Sequence, residues 1–223
     1  MSQLLRVQNF CVSADGFGAG VGQSLEAPFG HAERRGDHVA RLPFDLAGWA
    51  FVTASWPNRN EPGGTRGLDN YFTGDFSHNI GAEIMGRNKF GPQRGPWEKL
   101  DWQGWWGDNP PFHTPVFVLT HHPRPSFTLS DTTFHFLDAT PAEAARQAKD
   151  ASGGKDVRIG GGVATVRQFL EADLIDTMHV AMAPIEIGRG ERLWTSHEEL
   201  LDRFHLESVP SPSGVTHLIF WRR

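Results

Sequence analysis

Residues 157–180 read VRIGGGVATVRQFLEADLIDTMHV: an apolar strand-like run, three glycines, a helix-like stretch and a second apolar run. Glycine loses more backbone entropy on folding than any other residue. Three in succession, Gly160, Gly161 and Gly162, therefore need a physical reason. One reading is a tight strand-to-helix turn that serves only the chain. The other is a backbone that must come close to a ligand, because the first turn of a helix exposes unpaired N–H groups carrying partial positive charge. Without side chains in the way, an anion such as a pyrophosphate reaches those donors. The spacing is not G-x-G-x-x-G, so no Rossmann domain follows from it.

The rest of the chain supplies the frame for that unit. The opening LLRVQNFCVSADGFGAG reads as a buried strand that enters a mobile loop at Asp15 and Gly16. The stretch from Gly20 to about Pro43 is turn-rich and long for a simple connection, which suits a lid or interface. FDLAGWAFVTASW leans towards helix. A short helix is expected over Leu68 to His78, then the strand IGAEIMG, then an ordered aromatic loop from Phe90 to Pro115 that holds Trp97, Trp102, Trp105 and Trp106. PVFVLT is a run of the kind a strand buried on both faces shows. TTFHFLD is a further strand, and Thr140, Pro141 and Glu143 spell out a capped helix start, with Gly153 and Gly154 at its end. A helix from Val163 to about Ala172 and the strand DTMHVAMAPIEIG follow. RFHLESVP and VTHLIFWRR close the chain as an antiparallel pair around a Ser211–Gly214 turn. Alternating elements in the middle and consecutive strands at the end predict one three-layer α/β domain over residues 1–223, with a mostly parallel mixed sheet and antiparallel C-terminal strands.

Charge and cysteine usage narrow the partners. The chain has 223 residues and a formal net charge of −5, which offers no basic field for nucleic acid or anionic lipid. The single cysteine, Cys11, closes no intrachain disulfide. Arg6, Gln8 and Asn9 interrupt any apolar run before Phe10, and no later run is long enough to span a bilayer. A cytoplasmic protein with a small-molecule substrate, and with neither nucleic-acid nor membrane partners, is expected. The eleven histidines show no ligand spacing, and adjacent His121 and His122 point to opposite faces of a strand, so no metal is expected.

Two more strand ends carry candidate chemistry. IMGRNKFGP places Gly86, Arg87, Asn88 and Lys89 at a strand's C-terminal end, where open α/β sheets bind ligands. Arg87 and Lys89 either clasp a phosphate or form an ordinary solvated loop end. VFVLTHH delivers Thr120, His121 and His122 in the same way. The tryptophan loop either lines a flat aromatic site or packs itself down, possibilities that include a subunit contact.

Taken together, SADG, MGRNKFGP, PVFVLTHHPR and IGGGVATVRQFLEADLIDTMHVAMAPIEIGRGERLW resemble the dihydrofolate reductase superfamily. The resemblance is closer to the bacterial branch named for the reductase half of the riboflavin-biosynthesis deaminase/reductase. It implies a dihydrofolate-reductase-like fold, an NADPH cofactor and a homodimer. By the same resemblance Ile159, Gly160, Gly161 and Gly162 lie against the cofactor diphosphate, with a cis peptide in the Gly160–Gly161 pair. Val163, Ala164 and Thr165 open the helix aimed at that diphosphate. Cys11 and Val12 line the cofactor, Gly86, Arg87, Asn88 and Lys89 surround the adenosine 2′-phosphate, and Thr120 and His121 lie beside the ribose. The family's Gly-Arg-x-Thr reads Gly-Arg-Asn-Lys here, so a hydroxyl contact to phosphate is missing and Lys89 is one replacement.

The same likeness marks Asp15 and Asp69 as substrate carboxylates. Each has a plainer reading: Asp15 precedes Gly16 in a turn, and Asp69 caps a helix. The expected activity is hydride transfer from NADPH to a C=N or C=O group of a pterin- or ribosylaminopyrimidine-like heterocycle. The alternative is a non-catalytic protein of the same fold that binds NADP(H) or a metabolite.

Overall fold

In the computed structural model, which describes residues 3–32, 46–56, 62–98 and 100–223, the apolar runs form strands. The strands are β1 (Leu5–Ser13), β2 (Phe17–Ala19), β3 (Ile80–Gly86), β4 (Pro115–Leu119), β5 (Phe127–Leu129), β6 (Thr132–Leu137), β7 (Asp156–Gly161), β8 (Thr177–Ala183), β9 (Glu191–Arg192), β10 (Phe204–Pro210) and β11 (Thr216–Arg222). The helices are α1 (Gly48–Phe51), α2 (Leu68–Gly74), α3 (Arg87–Phe90), α4 (Pro141–Ala151) and α5 (Val163–Glu171). Nine strands hydrogen-bond in the order β10-β11-β8-β1-β7-β3-β4-β6-β5, and β2 pairs with β9 apart from them. This is an α/β fold with a mostly parallel mixed sheet.

Contacts divide the chain into two compact units, Met1–Gln8 with Ser77–Thr177 and Asn9–Phe76 with Met178–Arg223. In the first, β7, β3, β4 and β6 are parallel neighbours, and β5 is added antiparallel beside β6. Every residue of β3 is buried, as in a strand covered on both faces, although its apolar run is interrupted by Glu83. The helix α4 packs on β3, β4 and β7 through a stripe of small residues, Ala144, Ala145 and Ala148, which lets the helix axis come close. Its start is the expected capping box: Thr140 Oγ1 accepts from Glu143 N at 3.3 Å while Glu143 Oε2 accepts from Thr140 N at 2.9 Å. The helix α5 packs on β7 and β3 with Val163, Val166, Phe169 and Leu170 inward, a spacing of three and four residues. Phe169 is fully buried, and its truncation to alanine is worth about 3–5 kcal/mol.

In the second unit, β10 and β11 pair without a break from Phe204↔Arg222 to Pro210↔Thr216. Their turn is the expected one, with Ser211 N bonded to Val215 O at 2.8 Å and Gly214 at a φ of +94°. Two readings of the sequence change here, and a third lies partly outside the described residues. The segment after β1 is not a free loop but contains β2, whose three residues are buried and antiparallel to β9. The helical lean for residues 44–56 holds only over Gly48–Phe51, after which Thr53 bridges Thr65, and Phe44 and Asp45 lie outside the described residues. Of the long Gly20–Pro43 connection, residues 33–43 lie outside the described residues too. Among the described residues no helix is long and apolar enough to cross a membrane.

Candidate functional site

Three neighbouring parallel strands of the first unit, β7, β3 and β4, end at one edge. Gly161 stands opposite Met85, and Gly86 opposite Leu119. The structure therefore brings together the three strand ends singled out in the sequence. A Cβ at 86 would lie 2.2 Å from Thr165 Oγ1 on the first turn of α5, so any side chain there would displace that hydroxyl.

The three glycines of 160–162 have three different causes. At Gly160 a Cβ would lie 2.0 Å from Glu83 Oε1. Gly161 has a φ of +112°, which side chains rarely tolerate. Gly162 is unlike both: its φ is −70°, and a Cβ on it would meet nothing within 4 Å. Neither crowding nor φ inside the protein asks for glycine at 162. It is also the N-cap of α5 and gives no side-chain cap, so the first N–H groups of this nine-residue helix have no acceptor in the helix or from a capping side chain. The cis peptide bond lies between Gly161 and Gly162, one residue beyond the pair the resemblance marked.

Behind the glycines, Glu83 and Arg158 form a buried ion pair, with Arg158 Nε on Glu83 Oε2 at 2.6 Å. Burial pushes the Glu83 carboxyl up while the Arg158 charge pulls it down. Removing one partner would strand the other charge. Lys89 Nζ donates to Gly160 O at 3.0 Å, so this ammonium is turned to the end of β7.

Arg87 begins α3 directly after Gly86. Its Nη1 donates to Gly95 O at 2.5 Å, and its Cζ lies 3.6 Å from the centroid of Trp97. Its Nε and Nη2 are buried and have no partner among the described residues. Burial, and then the charges of Arg94 and Arg124, pull this guanidinium below its ordinary value. Beside it, Thr120 Oγ1 accepts from His122 N at 3.1 Å, and exposed His121 meets Asp138 at 3.0 Å. Asn88 is exposed, Ala164 half-buried, and Ile159 and Val163 are buried, so the last two offer a ligand only their main chain. The remaining tryptophans pack the loop down: Trp102 Nε1 donates to Phe90 O at 3.0 Å, Trp105 meets Trp102 edge to face, and Trp106 stacks on Phe134.

The other candidates belong to the second unit. Val12 is fully buried and Cys11 accepts from Trp49 Nε1 at 3.3 Å, within the cluster formed by Trp49, Ala50, Ala181 and Val215. Asp15 accepts from Ser13 Oγ at 2.6 Å, Ile187 N at 3.0 Å and Gly188 N at 2.7 Å. Burial works against its charge, but these donors outweigh it and hold the carboxyl below the usual range.

Asp69 does not cap α2, although it stands in the first turn. Its Oδ1 accepts from His217 Nε2 at 2.8 Å, and His217 Nδ1 lies 2.9 Å from His179 Nε2. Asn9 N donates to His179 Nδ1 at 3.2 Å. A backbone N–H can only donate, so this contact fixes every proton by inference from the network. His179 Nδ1 is bare, its Nε2–H donates to His217, and His217 Nε2–H donates to Asp69. Asn9 Oδ1, 3.0 Å from His179 Nδ1, would oppose a bare nitrogen, so the amide is best turned to present its NH2. Phe72 stacks on both imidazoles, at 4.1 and 4.3 Å. Burial lowers both histidines, His179 strongly, and keeps them neutral. Burial opposes the Asp69 charge, but Ser211, His217 and Ser213 outweigh it and keep the carboxyl below its usual range.

The sequence reading missed His179, His217 and the part played by Trp97. A signal existed for the first two: each is a polar residue inside an apolar strand, DTMHVAMA and VTHLIFW, and a buried polar group needs a partner.

A family model described as the RibD C-terminal domain matches residues 7–212. No curated protein matches the chain. Among solved structures, a protein assigned to riboflavin biosynthesis from Shewanella sp. PV-4 is 21% identical, with a TM-score of 0.54 over 100% of this chain and 99% of that one. A pyrimidine reductase-like protein from Corynebacterium diphtheriae is 14% identical, with a TM-score of 0.48 over 100% and 92%. A dihydrofolate reductase from Enterococcus faecalis, complexed with NADP(H), is 15% identical, with a TM-score of 0.41 over 69% and 79%.

Proposed function

Because the chain belongs to the RibD C-terminal domain family, we propose that it is an NADPH-dependent reductase acting on a C=N or C=O group of a small heterocycle. The single observation that carries this reading is the edge formed by β7 and β3. There Gly162, the uncapped start of α5 and the open edge of Arg87 offer donors that the described residues leave unused. A diphosphate suits the first two, and a phosphate monoester suits the third. The reduced nicotinamide, when bound, supplies the hydride. Gly160 to Thr165 hold the diphosphate through main-chain N–H groups, Arg87 holds the 2′-phosphate, and Thr120 and His121 stand next to Arg87 on the neighbouring strand end. Asp15 and Asp69 are carboxylates at neutral pH, so they orient a substrate by accepting hydrogen bonds and do not donate the proton that accompanies hydride. The protein acts in the cytoplasm, as a homodimer, with no metal.

The second reading, an NADP(H)-binding protein without turnover, draws support from those same two aspartates, since neither candidate is a proton donor. NADPH oxidation with pterin, ribosylaminopyrimidine and quinone acceptors separates the two: binding without any turnover favours it. The cofactor assignment is tested by titrating NADPH and NADH into the protein and into Arg87→Ala. NADPH is expected to bind about 100-fold tighter, on the order of two charge-assisted hydrogen bonds, and Arg87→Ala to erase most of that preference. Equal affinities in the unaltered protein would count against it.

A further inference from the structure

We propose that Arg87, Trp97 and Arg124 form a clamp for a phosphate monoester, in which Arg124 is a second cationic ligand and Trp97 the ring that positions both guanidiniums. The inference rests on the reading above, in which that monoester is the adenosine 2′-phosphate.

Each arginine has spent only part of its donor set. Arg87 uses Nη1 on Gly95 O and keeps Nε and Nη2, the edge whose two N–H groups run parallel, buried without a partner among the described residues. That edge is the fork which matches two oxygens of a phosphate. Arg124 keeps Nη1 buried without a partner among the described residues. Its Cζ lies 4.8 Å from the Trp97 ring, 4.8 Å from Phe136 and 5.0 Å from Phe127. Cation–π contacts of this kind hold a guanidinium in place without using its N–H donors. One indole therefore carries both cations and leaves their hydrogens for something else.

Trp97 is itself fixed. Its Nε1 donates to His122 O at 2.5 Å, and its ring meets Phe90 and Phe136 edge to face. This gives the first tryptophan of the aromatic loop a task beyond packing.

Charge points the same way. Arg94 and Arg124 both repel the Arg87 charge, and among the described residues neither Arg87 nor Arg124 is ion-paired. Asp101 acts on Arg124 from an exposed position, and burial is the larger influence there. Partly buried like charges with unused donors are costly unless an anion joins them. Nε and Nη2 of Arg87 and Nη1 of Arg124 have no partner among the described residues, and a monoester has three terminal oxygens that could accept from them. The sequence also lacks a threonine two residues after Arg87, and Lys89 is turned to Gly160 O. Arg124 supplies the contact those positions do not.

Calorimetric titration of the full chain with adenosine 2′,5′-bisphosphate, 5′-AMP and inorganic phosphate tests this. The unaltered protein is expected to bind the bisphosphate at least tenfold more tightly than AMP. Arg124→Gln should lose about tenfold or more of the bisphosphate affinity and none of the AMP affinity, with Arg124→Lys in between. If Arg124→Gln binds the bisphosphate as the unaltered protein does, while Arg87→Ala does not, the clamp is wrong and the cofactor reading stands. Equal binding of bisphosphate and AMP by the unaltered protein overturns both. Inorganic phosphate binding as tightly as the bisphosphate overturns the assignment to an adenosine phosphate. Should Arg124→Gln and Arg124→Lys both melt early, phenylglyoxal labelling of the unaltered protein decides: the bisphosphate and not AMP is expected to shield Arg124, and unchanged labelling refutes the clamp.

Discussion

The arginines around Trp97 and the histidines beside Asp69 are both polar clusters with buried members, yet they are built on opposite principles. From Asn9 through His179 and His217 to Asp69, each donor meets an acceptor and each ring is stacked, so the set is closed. Around Trp97, three buried guanidinium nitrogens have no acceptor among the described residues. A closed network spends its hydrogen bonds on holding the fold together. An open one keeps them in reserve for a ligand, and gives up stability to do so. The difference teaches where to look for binding: not at the most connected polar residues but at those whose donors are unspent.

Substitution should separate the two clusters. His217→Ala removes a fully buried ring and strands both His179 and Asp69, so a loss of about 3–4 kcal/mol in denaturant unfolding is expected, with NADPH affinity unchanged. Arg87→Ala should show the reverse, a stability change within about 1 kcal/mol beside its large loss of NADPH. Comparable stability losses in the two variants would break the contrast.

The glycines sharpen it further. Gly160→Ala drives a methyl into Glu83 and should cost about 2–3 kcal/mol. Gly162→Ala meets no protein atom and should change stability by no more than about 0.5 kcal/mol, while it weakens NADPH. A Gly162→Ala protein as unstable as Gly160→Ala would place the reason for that glycine inside the fold.

A pH dependence on the histidine side is the last contrast. Both histidines have folded values below the ordinary 6.5, so between 6.5 and those values the unfolded chain binds more protons. Their stabilising neutrality is fully present above pH 6.5 and is lost as pH falls below it, by up to about 1.4 kcal/mol per pH unit for each group. Asp15 and Asp69 lose theirs lower, as pH falls from about their ordinary 3.8. Thermal melts of the unaltered protein between pH 7 and 5 should fall along this course, and His179→Leu should flatten it. A melting point that rises on acidification would reverse the assigned protonation.

Much of this frame was legible in the sequence, because strand burial, the Thr140–Glu143 cap and the closing hairpin are written in neighbouring residues. What escaped involves distant ones. The pairing of Phe17 with Arg192 joins two very short strands, too short for any periodic signal. The α1 helix stops after one turn where Thr53 turns to Thr65. His179 and His217 lie on separate strands, 38 positions apart, and only their apolar surroundings hint at a partner. The glycine triplet was visible as a unit, but only coordinates divide it into a clash with Glu83, a positive φ and a residue the fold does not explain. Arg124 was in plain view in PVFVLTHHPR, yet nothing local tells a solvated arginine from one held by aromatic rings.

Amide hydrogen exchange of the first turn of α5, with and without NADPH, tests the central claim most directly. The N–H groups of Val163 and Ala164 have no acceptor in the helix and no capping side chain, so they are expected to exchange fast in the free protein and to slow on addition of NADPH. If saturating NADPH leaves their exchange unchanged, the β7 and β3 edge is not where the diphosphate binds.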